Sequence, residues 1–255
     1  MKAWVLDLDG VIYHGTEALP GAVDAVERLQ RAGRRTLFLT NNSSKSSASI
    51  CEKLVSLGIR CSEEDVLTSC EATGLYLERS AFRAVHAIGS KELKKNLTSR
   101  GMSLVGPDSC EALVVGMDLE FGYQALCDGL SALMRGAHFI ACNRDPNFPG
   151  QSGRLLPGTG AIASAFEGAS ERKVDVLTGK PNPLILDLLL ERVGLNRSDC
   201  VVVGDTLVSD IAMANQAMVP SIWIAPPEAR LGKDSPFQPT SRFATLAEAV
   251  SGHDL

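Results

Sequence analysis

Two aspartates follow the first apolar run of the chain. In "AWVLDLDGVIYHG", Asp7 and Asp9 come directly after four apolar residues, and Gly10 follows them. In an extended chain, residues i and i+2 lie on the same side, so the two carboxylates would face one cleft. At about 4 Å they would repel by roughly 1 to 4 kcal/mol, and a Mg²⁺ ion between their oxygens would relieve that repulsion. The alternative is that the pair only ends a strand and begins a turn.

Polar residues also follow a second apolar run. The segment "RTLFL" leads into Thr40, Asn41 and Asn42, with two serines after them. A hydroxyl group, two amides and the start of a helix at one point together form a natural anion site. The alternative is that these residues only cap the helix.

Two later segments place charged residues in comparable positions. In "LTGKPNP", Gly179 and Pro181 indicate a tight loop that could present Lys180 to a cleft, although a loop lysine is more often simply solvated. In "VVVGDTLVSDIAMA", Asp205 ends another apolar run, and Asp210 lies near the start of a predicted helix. A carboxylate at that place also interacts favourably with the helix dipole, which is the structural alternative for Asp210.

The segments that carry these residues alternate between strand and helix patterns. Strands are predicted at 2–9, 35–41, 65–69, 174–179, 200–205 and 221–225, and helices at 22–33, about 44–57, 183–194 and 209–218. This order predicts an α/β fold with a doubly wound parallel sheet. Ligands of such sheets bind beyond the carboxyl ends of the strands, where the four polar segments would meet. Together they would supply a nucleophile, a proton carrier, phosphate-binding groups and ligands for a cation.

The middle of the chain predicts a domain of its own. Strand patterns at 84–89, 112–118 and 138–143 alternate with helices that begin near Lys91 and Tyr123. About a hundred residues are enough for a small domain. We therefore expect a core domain of residues 1–69 and 174–255, with residues 70–173 inserted as a second α/β domain.

Composition excludes several classes of protein. The net charge of −5 and the pI of about 5.5 argue against a nucleic-acid partner. The chain contains no apolar segment long enough to span a bilayer, so no membrane association is expected. Seven scattered cysteines without a C-x-x-C motif indicate neither a zinc site nor a disulfide framework. We expect reduced thiols in a cytoplasmic protein.

The four polar segments, taken in order, resemble the haloacid dehalogenase (HAD) superfamily. Within it, "DLDGVIYHG", "LFLTNNSS", "LTGKPNP" and "VVVGDTLVSDI" are similar to the 4-nitrophenylphosphatase or NagD-like phosphatases. The inserted region contributes "ALVVGMD", "FIACNRDPNFP" and "PGTGAIASAFE", so the resemblance covers nearly the whole chain. It implies a HAD-like Rossmann-type core with an α/β cap of the C2 type, inserted between the Thr40 and Lys180 motifs.

The resemblance also implies roles for the residues of the core. Asp7 would attack phosphorus and form an aspartyl-phosphate, while Asp9 would protonate the leaving alcohol and then activate water. The cofactor would be Mg²⁺, held by Asp7, the backbone carbonyl of Asp9 and Asp205, with Asp210 as a direct ligand or one shell further out.

For the phosphate, the resemblance implies that Thr40, Asn41 and Asn42 bind the phosphoryl oxygens, while Lys180 pairs with both the phosphate and Asp7. The partner would be a small phosphorylated metabolite, whose identity stays open. Relatives of this kind often dimerise through the cap, so a homodimer is also implied.

The cap would exclude water and select the leaving group. Candidate contacts are Asn143, Asp145 and Phe148 in "ACNRDPNFP". Some relatives have histidine where Phe148 stands, so the substrates of those relatives do not carry over to this chain.

Two alternatives to a phosphatase stay open. One is a different HAD chemistry, such as a phosphotransferase, phosphomutase or dehalogenase. Dehalogenases do not need the carboxylate of Asp9, and mutases usually carry their cap directly after the first motif. The other is a non-catalytic protein that binds phosphorylated metabolites, although none of the four motifs is broken.

Overall fold

The chain is organised around two separate parallel sheets, and the computed structural model describes residues 1–150, 154–232 and 235–252. Its internal contacts divide into two units. The core unit comprises residues 1–40, 47–67 and 180–255, and the inserted unit comprises residues 41–46 and 68–179.

The secondary structure alternates between strands and helices along most of the chain. In order, the strands are β1 (Ala3–Leu6), β2 (Tyr13–His14), β3 (Glu17–Ala18), β4 (Arg35–Thr40), β5 (Val66–Thr68), β6 (Ala84–Ile88), β7 (Ser103–Leu104), β8 (Ala112–Val115), β9 (His138–Ala141), β10 (Asn147–Pro149), β11 (Leu155–Pro157), β12 (Val176–Leu177), β13 (Cys200–Gly204), β14 (Ser221–Ile224) and β15 (Ser241–Phe243). The helices are α1 (Ala22–Arg31), α2 (Ser47–Ser56), α3 (Ser69–Arg79), α4 (Lys91–Ser99), α5 (Tyr123–Met134), α6 (Thr159–Ser170), α7 (Leu184–Arg192), α8 (Ala212–Ala217) and α9 (Leu246–Gly252).

The core unit contains a six-stranded sheet with the order β15-β14-β13-β1-β4-β5. Strand β1 lies inside the sheet and pairs in parallel with both β13 and β4. All four residues of β1 are buried, as expected for a strand covered on both faces. The chain builds one half of the sheet outward from β1 and then returns to build the other half. This order confirms the predicted doubly wound parallel fold.

Helix α1 shows how the helices cover this sheet. Its buried residues include Val26 and Leu29, which belong to one apolar cluster with Trp4 of β1 and Phe38 of β4. The apolar positions recur at helical spacing, so one face of the helix is buried and the other stays in water. The helix ends before Gly33, whose φ of 72° lies in the left-handed region that favours glycine.

The inserted unit contains a five-stranded sheet with the order β12-β9-β8-β6-β7, and all its neighbouring strands pair in parallel. Strand β8 is buried at every position. Phe139 of β9 and Phe166 of α6 meet edge to face, with ring centroids 6.2 Å apart. This arrangement is favourable for two aromatic rings in a core. A two-stranded antiparallel sheet, β10 with β11, completes the unit.

One predicted strand belongs to the other sheet. The segment 174–179 was expected in the core, but its strand β12 pairs with β9 of the inserted unit. The core unit therefore resumes at Lys180 rather than at residue 174. A short apolar strand carries no information about its pairing partner, because periodicity specifies only that one face is buried. Residues 41–46 likewise group with the inserted unit.

Three element boundaries also differ from the prediction. Strand β1 ends at Leu6, so Asp7 and Asp9 lie beyond the strand rather than in it. Helix α2 begins at Ser47, three residues after the serine predicted to cap it. The sequence pattern predicts no strand after 221–225, but strand β15 (Ser241–Phe243) adds an edge to the core sheet.

None of the helices in the described ranges combines the length with the apolar character that crossing a membrane requires.

Two glycines of the inserted unit offer a test of its packing. A Cβ on Gly129 of α5 would lie 2.2 Å from the ring of the fully buried Phe166, whereas a Cβ on Gly168 of α6 would meet no atom within 4 Å. We expect Gly129→Ala to lower the free energy of unfolding by about 1 to 3 kcal/mol through overpacking. Gly168→Ala should leave it unchanged or raise it by up to about 1 kcal/mol, because alanine favours helix. Urea unfolding of both variants checks this, and equal effects would contradict the packing described here.

Candidate active site

Asp7 lies at the carboxyl end of β1, one residue beyond the strand. Its backbone N–H donates to the carbonyl of Val203 at 2.9 Å, which continues the pairing of β1 with β13. The side chain is buried. Gly10 then turns the chain with a φ of 85°. A Cβ at Gly10 would lie 2.1 Å from Oδ2 of Asp205, so this position needs glycine for space as well as for conformation.

Asp205 and Asp210 lie in the segment that follows β13, the strand that neighbours β1 in the sheet. Asp205 follows Gly204, the last residue of β13, and Asp210 lies in a π-helical turn formed by Leu207–Ile211. A Cβ on Gly204 would lie 2.2 Å from both Cβ and Cγ of Asp210. The glycine therefore allows the loop to fold back against the strand end. Oδ2 of Asp210 accepts a hydrogen bond from the backbone N–H of Thr206 at 3.1 Å.

Lys180 joins two of these carboxylates. Its Nζ donates to Oδ1 of Asp7 at 2.5 Å and to Oδ1 of Asp210 at 2.7 Å. The lysine side chain is only 3% exposed, so water does not solvate the ammonium group. Nζ also lies 3.5 Å from the carbonyl of Leu39, which precedes the last residue of β4. The predicted loop lysine is thus a buried ionic centre, and the solvated alternative is wrong.

The charges in this cluster are incompletely balanced. Burial raises the pKa of Asp7 well above its usual range, although Lys180 opposes the shift. Burial alone would lower the pKa of Lys180, but Asp210 and Asp7 together raise it, so the ammonium form persists. Burial and the repulsion from Asp210 raise the pKa of Asp205 to about 6. Three carboxylates therefore share one ammonium group.

This imbalance and the donor set together suit a divalent cation. Asp7, Asp205 and Asp210 each offer one carboxylate oxygen, and these oxygens lie within 4.8 Å of one another. Hard oxygen ligands are those that Mg²⁺ prefers. Within the described ranges, the Asp9 side chain is not part of this group. The predicted metal ligand at Asp9 is its backbone carbonyl, and that remains a prediction.

Asp9 occupies a turn that helix α2 stabilises. The backbone of Gly10 donates to the carbonyl of Tyr13 at 3.0 Å, which closes the turn. Lys53 of α2 lies 3.2 Å from the centroid of the Tyr13 ring, and its Nζ donates to the carbonyl of Gly15 at 2.6 Å. Loss of solvent raises the pKa of Asp9, with the charge of Lys53 opposing the shift. The raised pKa favours the protonated acid.

The three predicted phosphate-binding residues at the end of β4 are divided between the two units. Thr40 is the last residue of β4 and is buried in the core unit. Asn41 belongs to the inserted unit, where its Nδ2 donates to Oδ1 of Asp145 at 3.1 Å. Nδ2 of Asn143 donates to the carbonyl of Asn41 at 2.6 Å. One phosphate candidate is thus bonded directly to two of the candidate specificity residues.

Asn42 and the serines after it form a turn rather than a helix cap. Oδ1 of Asn42 accepts hydrogen bonds from the backbone N–H and the hydroxyl of Ser44, at 2.9 and 3.1 Å. Ser43 is buried, and its Oγ lies 3.0 Å from Oγ1 of Thr159 while accepting from the N–H of Met117 at 2.8 Å. The sequence pattern did not reveal this role of Ser43, because nothing local marks its distant partners.

Phe148 lies in the small antiparallel sheet of the inserted unit. It belongs to β10 and stands opposite Leu156 of β11. Its side chain is half-buried. The role of Phe148 in specificity remains a prediction.

One residue that supports the site was not predicted. Trp223 of β14 lies opposite Gly204 in the sheet, and its indole Nε1 donates to the backbone carbonyl of Asp205 at 2.8 Å. The same indole packs in an apolar cluster with Ile211, the residue after Asp210. Trp223 therefore restrains the backbone that carries both carboxylates. The segment "SIWIA" predicts only a buried strand, so the sequence offered no signal for this contact.

Comparison with known proteins gives consistent matches. A family model described as haloacid dehalogenase-like hydrolase matches residues 4–103, and a HAD-hydrolase-like model matches residues 177–249. An acid sugar phosphatase from Staphylococcus saprophyticus is 36% identical over 211 residues, which is 82% of this chain and 81% of that protein. The solved p-nitrophenyl phosphatase from Archaeoglobus fulgidus has a TM-score of 0.90 at 29% identity and covers 99% of both chains. NagD from E. coli K-12 has a TM-score of 0.87 at 25% identity, with 97% of this chain and 98% of that chain covered.

Removal of the buried ammonium group should destabilise the protein. Lys180→Met leaves Asp7 and Asp210 buried without their shared counterion, so we expect the free energy of unfolding to fall by about 3 to 5 kcal/mol. The matched control is Lys2→Met, because the side chain of Lys2 is 74% exposed and its ammonium group stays solvated, although its partner Asp199 is only 14% exposed. An ion pair with a solvated ammonium group contributes little. Denaturant unfolding compares the two, and a Lys180→Met protein as stable as the Lys2→Met control would contradict the assignment.

Loss of the indole N–H should weaken cation binding. Trp223→Phe keeps the apolar ring and removes a single hydrogen bond to Asp205, which is worth about 1 kcal/mol. We expect the affinity for Mg²⁺ to fall by up to about fivefold, measured by titration calorimetry and by the shift in melting temperature that Mg²⁺ produces. Trp4→Phe, which trims the other tryptophan of the chain in β1, should leave that affinity unchanged. An unaltered affinity in Trp223→Phe would refute the role of the indole.

Proposed function

The chain belongs to the haloacid dehalogenase-like hydrolases and is a phosphatase of that family, and from this premise we propose that it hydrolyses small phosphomonoesters through an aspartyl-phosphate. The observation that carries the proposal is the ionic cluster at the strand ends. A buried nucleophile candidate, Asp7, lies 2.5 Å from the ammonium group of Lys180, and Asp205 and Asp210 add two more carboxylates to the same cluster.

In the first half of the reaction, a carboxylate oxygen of Asp7 attacks phosphorus. The new O–P bond forms as the bond between phosphorus and the leaving alcohol breaks. Asp9, in its protonated form, gives its proton to the departing oxygen. The raised pKa of Asp9 supports this role, because a general acid works best when it is protonated at the working pH.

In the second half, Asp9 acts as the base. Its carboxylate takes a proton from water as the water oxygen forms a bond to phosphorus. The bond between Asp7 and phosphorus breaks, and inorganic phosphate leaves. Both side chains return to their starting states, so one carboxyl group serves as acid and then as base.

Lys180 and the carboxylates of the β13 loop provide the charge balance. The ammonium group of Lys180 offsets the repulsion between the Asp7 carboxylate and an anionic phosphate. Asp7, Asp205 and the backbone carbonyl of Asp9 would hold Mg²⁺, which when bound supplies positive charge to the phosphoryl oxygens. Both oxygens of Asp210 already accept hydrogen bonds, from Lys180 and Thr206. We therefore assign Asp210 to orienting Lys180 rather than to direct contact with the ion.

The proposed substrates are small sugar phosphates. The support for this class is a relative named acid sugar phosphatase, which is 36% identical to this chain.

We propose that Thr40, Asn41 and Asn42 bind the phosphoryl oxygens, as the family resemblance implies. The cap candidates Asn143, Asp145 and Phe148 would select the leaving group. A homodimer formed through the cap and a cytoplasmic location stay predictions.

The proposed phosphatase activity is tested by measuring the release of inorganic phosphate from p-nitrophenyl phosphate and from a panel of sugar phosphates. Each substrate is assayed with Mg²⁺ and again after a chelator has removed the metal. Wild type should release phosphate only with the metal, and Asp7→Asn should fall to background. Binding of the substrates without release would support a non-catalytic metabolite-binding protein. Transfer of the phosphoryl group to a second position of the sugar, without free phosphate, would support a mutase.

A separate prediction distinguishes the two duties of Asp9. Because p-nitrophenolate leaves without protonation, Asp9→Asn should still form the aspartyl-phosphate from that substrate but should hydrolyse it slowly. We expect a burst of about one equivalent of p-nitrophenol, followed by turnover about 10² to 10⁴ times slower than wild type. Rapid-quench kinetics with detection of the phosphorylated protein measures both phases. Steady turnover at the wild-type rate would show that Asp9 is not the general base.

A further inference from the structure

Two cysteines of the core unit lie unusually close together. Cys51 belongs to α2, and Cys61 lies in the loop that follows the helix. Their sulfur atoms are 3.0 Å apart, and each thiol also faces the backbone carbonyl of the other residue, at 3.4 and 3.8 Å. Both side chains are partly exposed, so a small oxidant in solvent can approach them.

The local fold explains why thiols ten residues apart meet. Helix α2 continues from Cys51 to Ser56, which advances the chain by roughly 8 Å along the helix axis. Gly58 then reverses the chain with a φ of 91°, and the N–H of Ile59 bonds back to the carbonyl of Leu54 at 3.0 Å. The three residues from Gly58 to Cys61 cover roughly 10 Å when extended. The return path therefore brings the second thiol level with the first.

We propose that Cys51 and Cys61 form a dithiol that a peroxide oxidises reversibly to an intramolecular disulfide. In this reaction the two thiols and one hydrogen peroxide give one S–S bond and two waters. Each sulfur loses one electron to the peroxide, whose O–O bond breaks, and the two thiol protons go to its oxygens. A dithiol reductant reverses the step by thiol–disulfide exchange.

The chemistry of the pair indicates a slow, conditional reaction. Burial and the neighbouring Cys51 raise the pKa of the Cys61 thiol. Because the thiolate is the reactive form, this pair should remain reduced until an oxidant is supplied. The sequence alone predicts reduced thiols. The structure shows in addition that the sulfur atoms of Cys51 and Cys61 lie close enough for a bond to form between them. The proposal does not depend on the phosphatase mechanism.

Peptide mapping tests the proposal directly. The full chain is treated with hydrogen peroxide at about pH 8.5, where thiolate is more abundant, then alkylated in denaturant without a reductant and digested with trypsin. Trypsin should release residues 46–53 with Cys51 and residues 61–79 with both Cys61 and Cys70. We expect these two peptides to be cross-linked after oxidation, with a mass 2 Da below their sum, and to separate after treatment with dithiothreitol.

Two matched variants identify the bond. Cys70→Ser should keep the cross-link, and Cys61→Ser should abolish it. Cys51→Ala serves as a second variant that removes the pair, and circular dichroism establishes that each variant is folded. The proposal is overturned if wild type gives no cross-linked peptide, if the link survives in Cys61→Ser, or if Cys51 is instead driven to sulfinic or sulfonic acid.

Discussion

The site depends on one buried ammonium group held between two carboxylates. Lys180 contacts Asp7 and Asp210 at hydrogen-bond distance, and the side chains of all three residues are at most 10% exposed. Isolated charges would be expensive in such a place, but each group here has a partner of opposite sign. The arrangement orients the Asp7 carboxylate and still leaves excess negative charge. That excess would favour a divalent cation at the cluster.

The loops that hold these charges can approach one another because two glycines leave room. Gly10 permits the turn after β1 to reach Asp205, and Gly204 permits Asp210 to fold against the end of β13. Trp223 then restrains the second loop through its hydrogen bond to the Asp205 backbone. Small residues thus bring the carboxylates together, and one large residue keeps their loop in place. A change at any of these positions would act on the cluster without removing a charge from it.

The parts of the site that could be predicted are those that a local pattern specifies. An apolar run that stops at a carboxylate marks the end of a buried strand, so the positions of Asp7 and Asp205 followed from the sequence. The bond between Asn41 and Asp145 could not be predicted, because residues 104 apart meet only through the fold of the inserted unit. The pairing of β12 and the contact of Trp223 were missed for the same reason. The spacing of apolar residues predicts which face of a strand or helix is buried, but not which element packs against it or pairs with it.

Two of the four places where the chain passes between the units coincide with residues assigned to phosphate. The core unit ends at Thr40 and Asn41 begins the inserted unit, while Gly179 ends the inserted unit and Lys180 resumes the core. A Cβ on Gly179 would lie 2.4 Å from the carbonyl of Cys142 and 2.6 Å from Oδ1 of Asn41, so this connection has no room for a side chain. The backbone at Gly179, one residue before Lys180, is therefore tightly packed.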